Sequence, residues 1–429
     1  MPDNSRTPQA RSAAVKVLID CLEKGRPMHN LPSHGSMRDL SIVDRGLAGE
    51  IIYGVLRNLL RCDFLIKCHA KTAFSRLDHE ILWILRISVY QLDFMSAPEY
   101  AVVDDAVRLA RYFGKPAAAG FVNGVLRSFL RQREALPSGN SISSLSIRYS
   151  HPEWLVRRYL SRYGIKNAKK RMGRNNLPPE SYLRINPAKI SQADFCRNLE
   201  KEDIPYDLYP EIPNCLKIRR RGFNRHPLYS EGYCFYMDYG SQMVAAGIKA
   251  EPGMRIGDFC AAPGGKSFIL SSCVGPGGMV LAADISRPRL FQMAERMELY
   301  EIGNCSLVCA DLESSVPPAR GLDVILLDVP CSGLGTIRSN PDIRWLFKEE
   351  DILKQRVRQS AILRNGFASL AKGRKLFYTS CSTEPEENDE VITGLLQDEP
   401  AAELVGEPFY TLAGQDEGEG FFMAVIRRS

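Results

Sequence analysis

No histidine follows His226: all six (His29, His34, His69, His79, His151 and His226) come before residue 227 of the 429-residue chain. A Ser-His-Asp or Cys-His site built from the remaining residues is therefore excluded, as is a histidine-ligated metal there. The twelve cysteines include no Cys-x-x-Cys pair. This argues against a zinc ribbon or a disulfide scaffold, and it predicts reduced thiols in a cytoplasmic protein that holds no metal. No apolar run is long enough to span a bilayer, so no membrane partner is expected. The opening Met1-Pro-Asp-Asn-Ser-Arg6 lacks the charged-then-apolar layout of a secretory signal. Internal repeats and low-complexity tracts are also absent. What remains is an ordinary globular composition, 45% apolar and 25% charged, in a chain long enough for two or three domains.

The net charge of +6 conceals an asymmetry. Residues 1–250 carry 38 Lys and Arg against 24 Asp and Glu, and residues 251–429 carry 18 against 26. A basic front joined to an acidic back suggests that the front holds a polyanion. Residues 148–225 are the densest positive region, with 18 basic and 8 acidic side chains.

Helical spacing dominates residues 7 to about 135. Ala13, Ala14, Val17, Leu18 and Cys21 form one apolar stripe, and Leu47, Ile51, Ile52, Val55, Leu59 and Leu60 form another. Further stripes run from Ile81 to Gln91, from Val102 to Ala110 and from Val122 to Leu130, with Gly25 and Gly114 as stops. These helices predict a bundle over residues 1–140. Residues 136–144 are polar and read as a linker. A basic helix opening at His151-Pro-Glu and a small α/β module, with Arg219, Arg220, Arg221 and Arg225 on its rim, occupy 146–232. From 233 to 429 strands and helices alternate. Candidate strands are 254–260, 279–285, 306–310, 322–327 and 375–379, with a closing pair at 403–407 and 421–426. This pattern predicts a doubly wound, Rossmann-like sheet.

The chemistry concentrates at the ends of those strands, where open α/β sheets bind ligands. The first candidate strand runs into Cys260-Ala261-Ala262-Pro263-Gly264-Gly265-Lys266-Ser267. Its glycines permit close backbone approach at a helix N-terminus. The ending resembles a Walker loop, but Cys260 stands where that motif requires glycine. Asp284 and Asp311 end the next two strands, placed for a ribose diol and an adenine amino group, and Asp328 ends the fourth. Each aspartate alone could be a helix cap. Together they point to a nucleoside cofactor without phosphates, and S-adenosylmethionine fits. Cys331 and Cys381 follow the fourth and fifth strands, one close to Asp328, which suggests covalent chemistry rather than core packing.

Three segments carry a family resemblance: Cys260 to Lys266, Asp328-Val-Pro-Cys331-Ser-Gly through Pro341-Asp-Ile-Arg-Trp345, and Thr379-Ser-Cys381-Ser-x-x-Pro-Glu-Glu-Asn388. They resemble the Sun/RsmB-type RNA cytosine-C5 methyltransferases, and the match covers nearly the whole chain. The front bundle resembles the NusB-type RNA-binding domain through Asp44-Arg45, Gly54-Val-Leu-Arg57 and Asn123-Gly-Val-Leu-Arg127. Gly418-Glu-Gly420-Phe-Phe422 resembles the family's final strand. Val329 stands where the family usually has Ala.

The resemblance implies three parts: an all-α NusB-like bundle, a small α/β RNA-binding module and a class I methyltransferase domain. It implies methylation of one cytidine in small-subunit (16S) ribosomal RNA, with Cys381 as nucleophile at ring carbon 6, Asp328 acting near N3, and Cys331 assisting proton loss and release. The protein is expected to act as a monomer. Two rival readings stand beside it: Cys331 as nucleophile, as in DNA cytosine methyltransferases with a Pro-Cys dipeptide, and a ribosome-assembly protein with an idle methyltransferase fold.

Overall fold

The computed structural model describes residues 8–28, 31, 34–220, 222–315, 321–411 and 418–429. His29 and Arg221 lie outside the described residues. The chain divides into two compact units. One holds the residues up to Leu177 with Ile337–Glu349, and the other holds Pro178–Thr336 with Glu350–Ser429.

The first unit is helical. Gln9–Leu22, Ile42–His69, His79–Phe94, Glu99–Tyr112 and Ala119–Arg131 bury their apolar stripes in one core that includes Leu18, Ile51, Val55, Ile84, Leu109 and Leu126. The longest helix starts where Ser41 Oγ accepts the Asp44 amide at 3.1 Å, satisfying an otherwise orphaned donor. The stretch read as a linker enters a further helix, Ile142–Tyr149, capped by Ser141 Oγ on the Ser144 amide. Its serine-rich composition masks the short apolar stripe that buries Leu145.

The basic helix spans Glu153–Asn175, broken at Gly164, and falls within this compact unit. Arg171 is buried beneath its basic surface, its guanidinium against Tyr159 and Tyr163. Ile337–Glu349 also belongs here, although its sequence lies within the stretch assigned to the alternating sheet domain. Arg344 is fully buried, donating to Ser150 O (3.0 Å), Asn175 O (3.0 Å) and Asn176 Oδ1 (2.7 Å). Trp345 Nε1 donates to Leu56 O at 2.8 Å, and Asp342 accepts the Met28 amide. Arg344→Met strands two buried carbonyls and the half-buried Asn176 Oδ1. We expect it to destabilise the helical unit by about 3 kcal/mol or more, read as a lower denaturant midpoint for its unfolding.

In the second unit a small antiparallel sheet is built from β1 (Ser181–Ile185), β2 (Tyr206–Leu208), β3 (Cys215–Ile218) and β4 (Cys234–Tyr236), in the order β2-β3-β1-β4, with helix Gln192–Lys201. The sequence did not mark β2 or β4. Three residues are too few to display a period of two. β4 pairs with β1, so the stretch beyond 233 begins in the small sheet.

The large sheet comprises β5 (Arg255–Phe259), β6 (Met279–Asp284), β7 (Cys305–Cys309), β8 (Val324–Asp328), β9 (Lys375–Ser380), β10 (Ala402–Leu404), β11 (Phe409–Thr411) and β12 (Phe421–Arg428). Its order is β10-β12-β9-β8-β5-β6-β7, with β11 paired to β12. β5 to β9 run parallel, and β12 is antiparallel to β9. The expected closing pair is thus three strands, the short β11 having gone unseen. Strand order reverses between β5 and β8. There the two chains leave the sheet in opposite directions and open a crevice at their C-terminal ends.

Candidate active site

The glycine loop lies on one side of that crevice. Cys260 leaves β5 with φ of 65°, and Gly264 has φ of 101° where it caps helix Gly265–Val274. A β-carbon at Gly264 would come within 2.5 Å of the Phe268 ring and 2.9 Å of Met293, so both conformation and space require glycine. Asp284, nearly buried, accepts the Ala262 amide (3.0 Å) on one oxygen and the Ser286 amide (2.8 Å) on the other, tying the end of β6 to the loop. Asp311 is exposed and caps its own turn, accepting from the Glu313 amide and Ser314 Oγ.

A cavity of about 340 Å³ opens beside the loop, and its wall includes Ala261, Pro263, Gly265, Lys266, Asp258 and Asp328. Asp284 and Asp311 are not part of that wall. Asp258, at the end of β5, was not singled out by sequence. The available signal was an acid on the first strand directly before the glycine loop. It is fully buried, Ser267 Oγ donates to its Oδ2 at 2.5 Å, and its Oδ1 has no partner. Burial pushes its carboxyl up to about 7, the nearby charges of Asp328 and Asp284 adding to the effect. An unpartnered buried acceptor on a cavity wall suits a cationic, hydrogen-bonding ligand group. The residues therefore fit S-adenosylmethionine, which carries an ammonium and a sulfonium.

On the other side, β8 and β9 are parallel neighbours with Asp328 opposite Thr379, and each delivers a cysteine loop. Cys331 Sγ and Cys381 Sγ lie 3.1 Å apart. The bond to Cys381 and burial together push the Cys331 thiol well above its usual range. Burial likewise pushes Cys260 up, so it is not a thiolate at neutral pH. Asp328 accepts from Lys266 Nζ (2.7 Å) and Thr379 Oγ1 (3.0 Å). Lys266 lies in the first turn of the helix but is not solvated. It is buried, and although burial alone would lower its pKa, the charges of Asp328, Asp258 and Cys381 outweigh this and raise it. A fixed ammonium thus stands on the cavity wall, paired with Asp328. Among the described residues no three His, Cys, Asp or Glu side chains gather as a metal site, and no helix is long and apolar enough to cross a membrane.

Family models match three stretches: "16S rRNA methyltransferase RsmB/F" over residues 245–428, the NusB family over 8–131, and an RsmF/B-like methyltransferase ferredoxin-like domain over 151–222. The probable ribosomal RNA small subunit methyltransferase B of Bacillus subtilis is 30% identical over 400 residues, covering 91% of this chain and 88% of that protein. The ribosomal RNA small subunit methyltransferase B of Klebsiella pneumoniae is 30% identical over 435 residues, covering 97% of each. Among solved structures, PH0851 shares the fold across 99% of both chains with a TM-score of 0.84 at 21% identity. NSun6 from Pyrococcus horikoshii, solved with SFG, matches 65% of this chain and 98% of its own with a TM-score of 0.58 at 19% identity. Fold and site together define a methyltransferase that uses S-adenosylmethionine, carrying a NusB-type helical domain and a small ferredoxin-like module. The chain belongs to the RsmB/F family of 16S rRNA methyltransferases.

Proposed function

We propose that this protein methylates carbon 5 of a cytidine in 16S ribosomal RNA through a transient bond between Cys381 and ring carbon 6. It would act in the cytoplasm as a monomer. The observation that carries this reading is the contact of two thiols, 3.1 Å apart, beside the Lys266–Asp328 pair at a cofactor-sized cavity. Cytosine carbon 5 is a poor nucleophile until a thiolate adds at carbon 6 and makes it enamine-like. Cys331, its thiol raised well above the usual range, stays protonated against the Cys381 sulfur. Asp328, braced by Lys266 and Thr379, hydrogen-bonds or protonates the ring near N3 and so stabilises the adduct. Bound S-adenosylmethionine supplies the electrophilic methyl group. Cys331 then assists loss of the carbon 5 proton to a solvent base, the electron pair of that C–H bond re-forms the ring double bond, and Cys381 leaves as thiolate. The backbone of Cys260, Ala261, Ala262, Pro263, Gly264, Gly265 and Lys266 would cradle the cofactor, with Asp284 on the ribose, Asp311 on the adenine and Asp258 at its cationic end. The target base must leave its stack to enter. The basic front of the chain and its NusB-family domain suit an RNA partner.

Incubation with methyl-labelled cofactor and deproteinised 16S RNA, followed by bisulfite mapping, should yield one 5-methylcytidine. Label on another base or on another atom would overturn the reading.

The buried Asp258 gives a pH prediction. With its carboxyl titrating near 7, the protonated form prevails below that pH and the ionised form above it. A cationic cofactor binds the ionised form, so its affinity should rise as pH climbs through 7, by up to about tenfold from pH 6 to pH 8. Calorimetric titration of the RNA-free protein measures this. Asp258→Asn should flatten the slope, and an unaltered slope would assign it to another group.

A further inference from the structure

We propose that Glu387 is a positioning residue whose single buried carboxylate clamps the two cysteine loops together. The inference deepens the proposed reaction, resting on the reading that both thiols act. Cys331 and Cys381 belong to separate loops, and a serine follows each. Ser332 and Ser382 both donate their hydroxyls to Glu387 Oε2, the latter at 2.5 Å. Glu387 Oε1 accepts the Ser332 amide at 2.7 Å and Gln359 Nε2 at 3.1 Å. Gln359 Nε2 also donates to Pro330 O at 2.9 Å, gripping the first loop from its other side. Four donors meet the four lone-pair directions of one carboxylate, and three of the four come from residues that directly follow a cysteine.

The clamp is itself anchored. Tyr378 Oη donates to Glu387 O at 2.6 Å, and Asn388 joins Ser380 Oγ (2.6 Å) to Ser382 O (3.1 Å). Glu387, Ser382 and Asn388 are fully buried, so water cannot substitute for a lost partner. Burial raises the Glu387 carboxyl, and bonds from Ser332, Ser382 and Gln359 pull against that rise. Glu387→Gln keeps the shape but replaces one acceptor atom with an N–H donor that faces donors. The two loops then lose their shared fastening while each stays attached to its own strand.

The test uses the effective concentration of the two thiols, which requires neither RNA nor cofactor. The full-length protein is equilibrated with reduced and oxidised glutathione. Two protein thiols are oxidised to a disulfide as one glutathione disulfide is reduced to two glutathiones, and the linked 331–381 peptide is quantified by mass. Glu387→Gln should lower the effective concentration at least tenfold. In methyl transfer it should lower kcat at least tenfold with KM for the RNA within twofold. If Glu387→Gln does not fold, the gentler Ser332→Ala/Ser382→Ala pair decides, with a drop in the same direction. A folded variant with native thiol pairing overturns the clamp. A native protein whose thiols pair as expected but which fails to methylate cytosine refutes the reaction and leaves the clamp standing.

Discussion

Cys381→Ser is expected to abolish methyl transfer, lowering kcat by on the order of 10⁴-fold or more, and to form no covalent RNA. Cys331→Ser is expected to lose turnover too, but to accumulate a protein–RNA adduct stable to denaturing electrophoresis. The difference follows from the two positions. Addition at carbon 6 needs one sulfur, and a serine alkoxide is far less available at neutral pH than a thiolate. Release needs a partner to remove the carbon 5 proton. Cys331, in contact at 3.1 Å and with its thiol raised well above the usual range, stays protonated, so it is poorly suited to attack and is placed to assist that removal. If Cys331 were the nucleophile, as the Pro-Cys dipeptide alone would allow, the outcomes would exchange: adduct with Cys381→Ser and none with Cys331→Ser. An idle fold would show neither adduct nor turnover in the native protein.

The second large effect is expected at Gly335. Its amide donates to Cys381 O at 3.0 Å, and its carbonyl accepts the Gly420 amide at 2.9 Å. A β-carbon there would lie 2.1 Å from Gly420 O and 2.7 Å from Cys381 O, and no flexible side chain is available to yield. One of the two chains must move. Gly335→Ala should therefore cost about 3 kcal/mol or more. Because the displaced chain carries the nucleophile, the rate should fall about a hundredfold, as misplacement by an ångström can. Gly277→Ala, with open space around its added carbon, should change stability by no more than about 0.5 kcal/mol. Thermal unfolding and initial rates of both variants check this. A Gly335→Ala protein with native melting and native rate would place the Cys381 loop elsewhere.

Much of the architecture could be read from residue order. The helical stripes of the front unit and the strand-loop-helix passages at Gly264, Asp284 and Asp328 are local patterns, whose periods repeat within a dozen residues. The elements that escaped were short or disguised: β2, β4 and β11 have three residues each, and Ile142–Tyr149 hides behind serines. Asp258 escaped because an acid at a strand end shows its importance only once burial and an empty acceptor are known.

Side-chain chemistry and the order of thiols, acids and glycines along the chain were enough to mark which loops carry reactive groups, since nucleophilicity and backbone freedom belong to single residues. Their arrangement was a matter of packing. That Lys266 pairs with Asp328 inside the protein, that Ile337–Glu349 folds with the helical unit, and that Ser332 and Ser382 meet on one Glu387 carboxylate depend on contacts between residues tens to hundreds of positions apart. No local period encodes such contacts. They arise when strands β8 and β9 lie side by side and water is excluded, so that every buried donor and acceptor must find its partner within the protein.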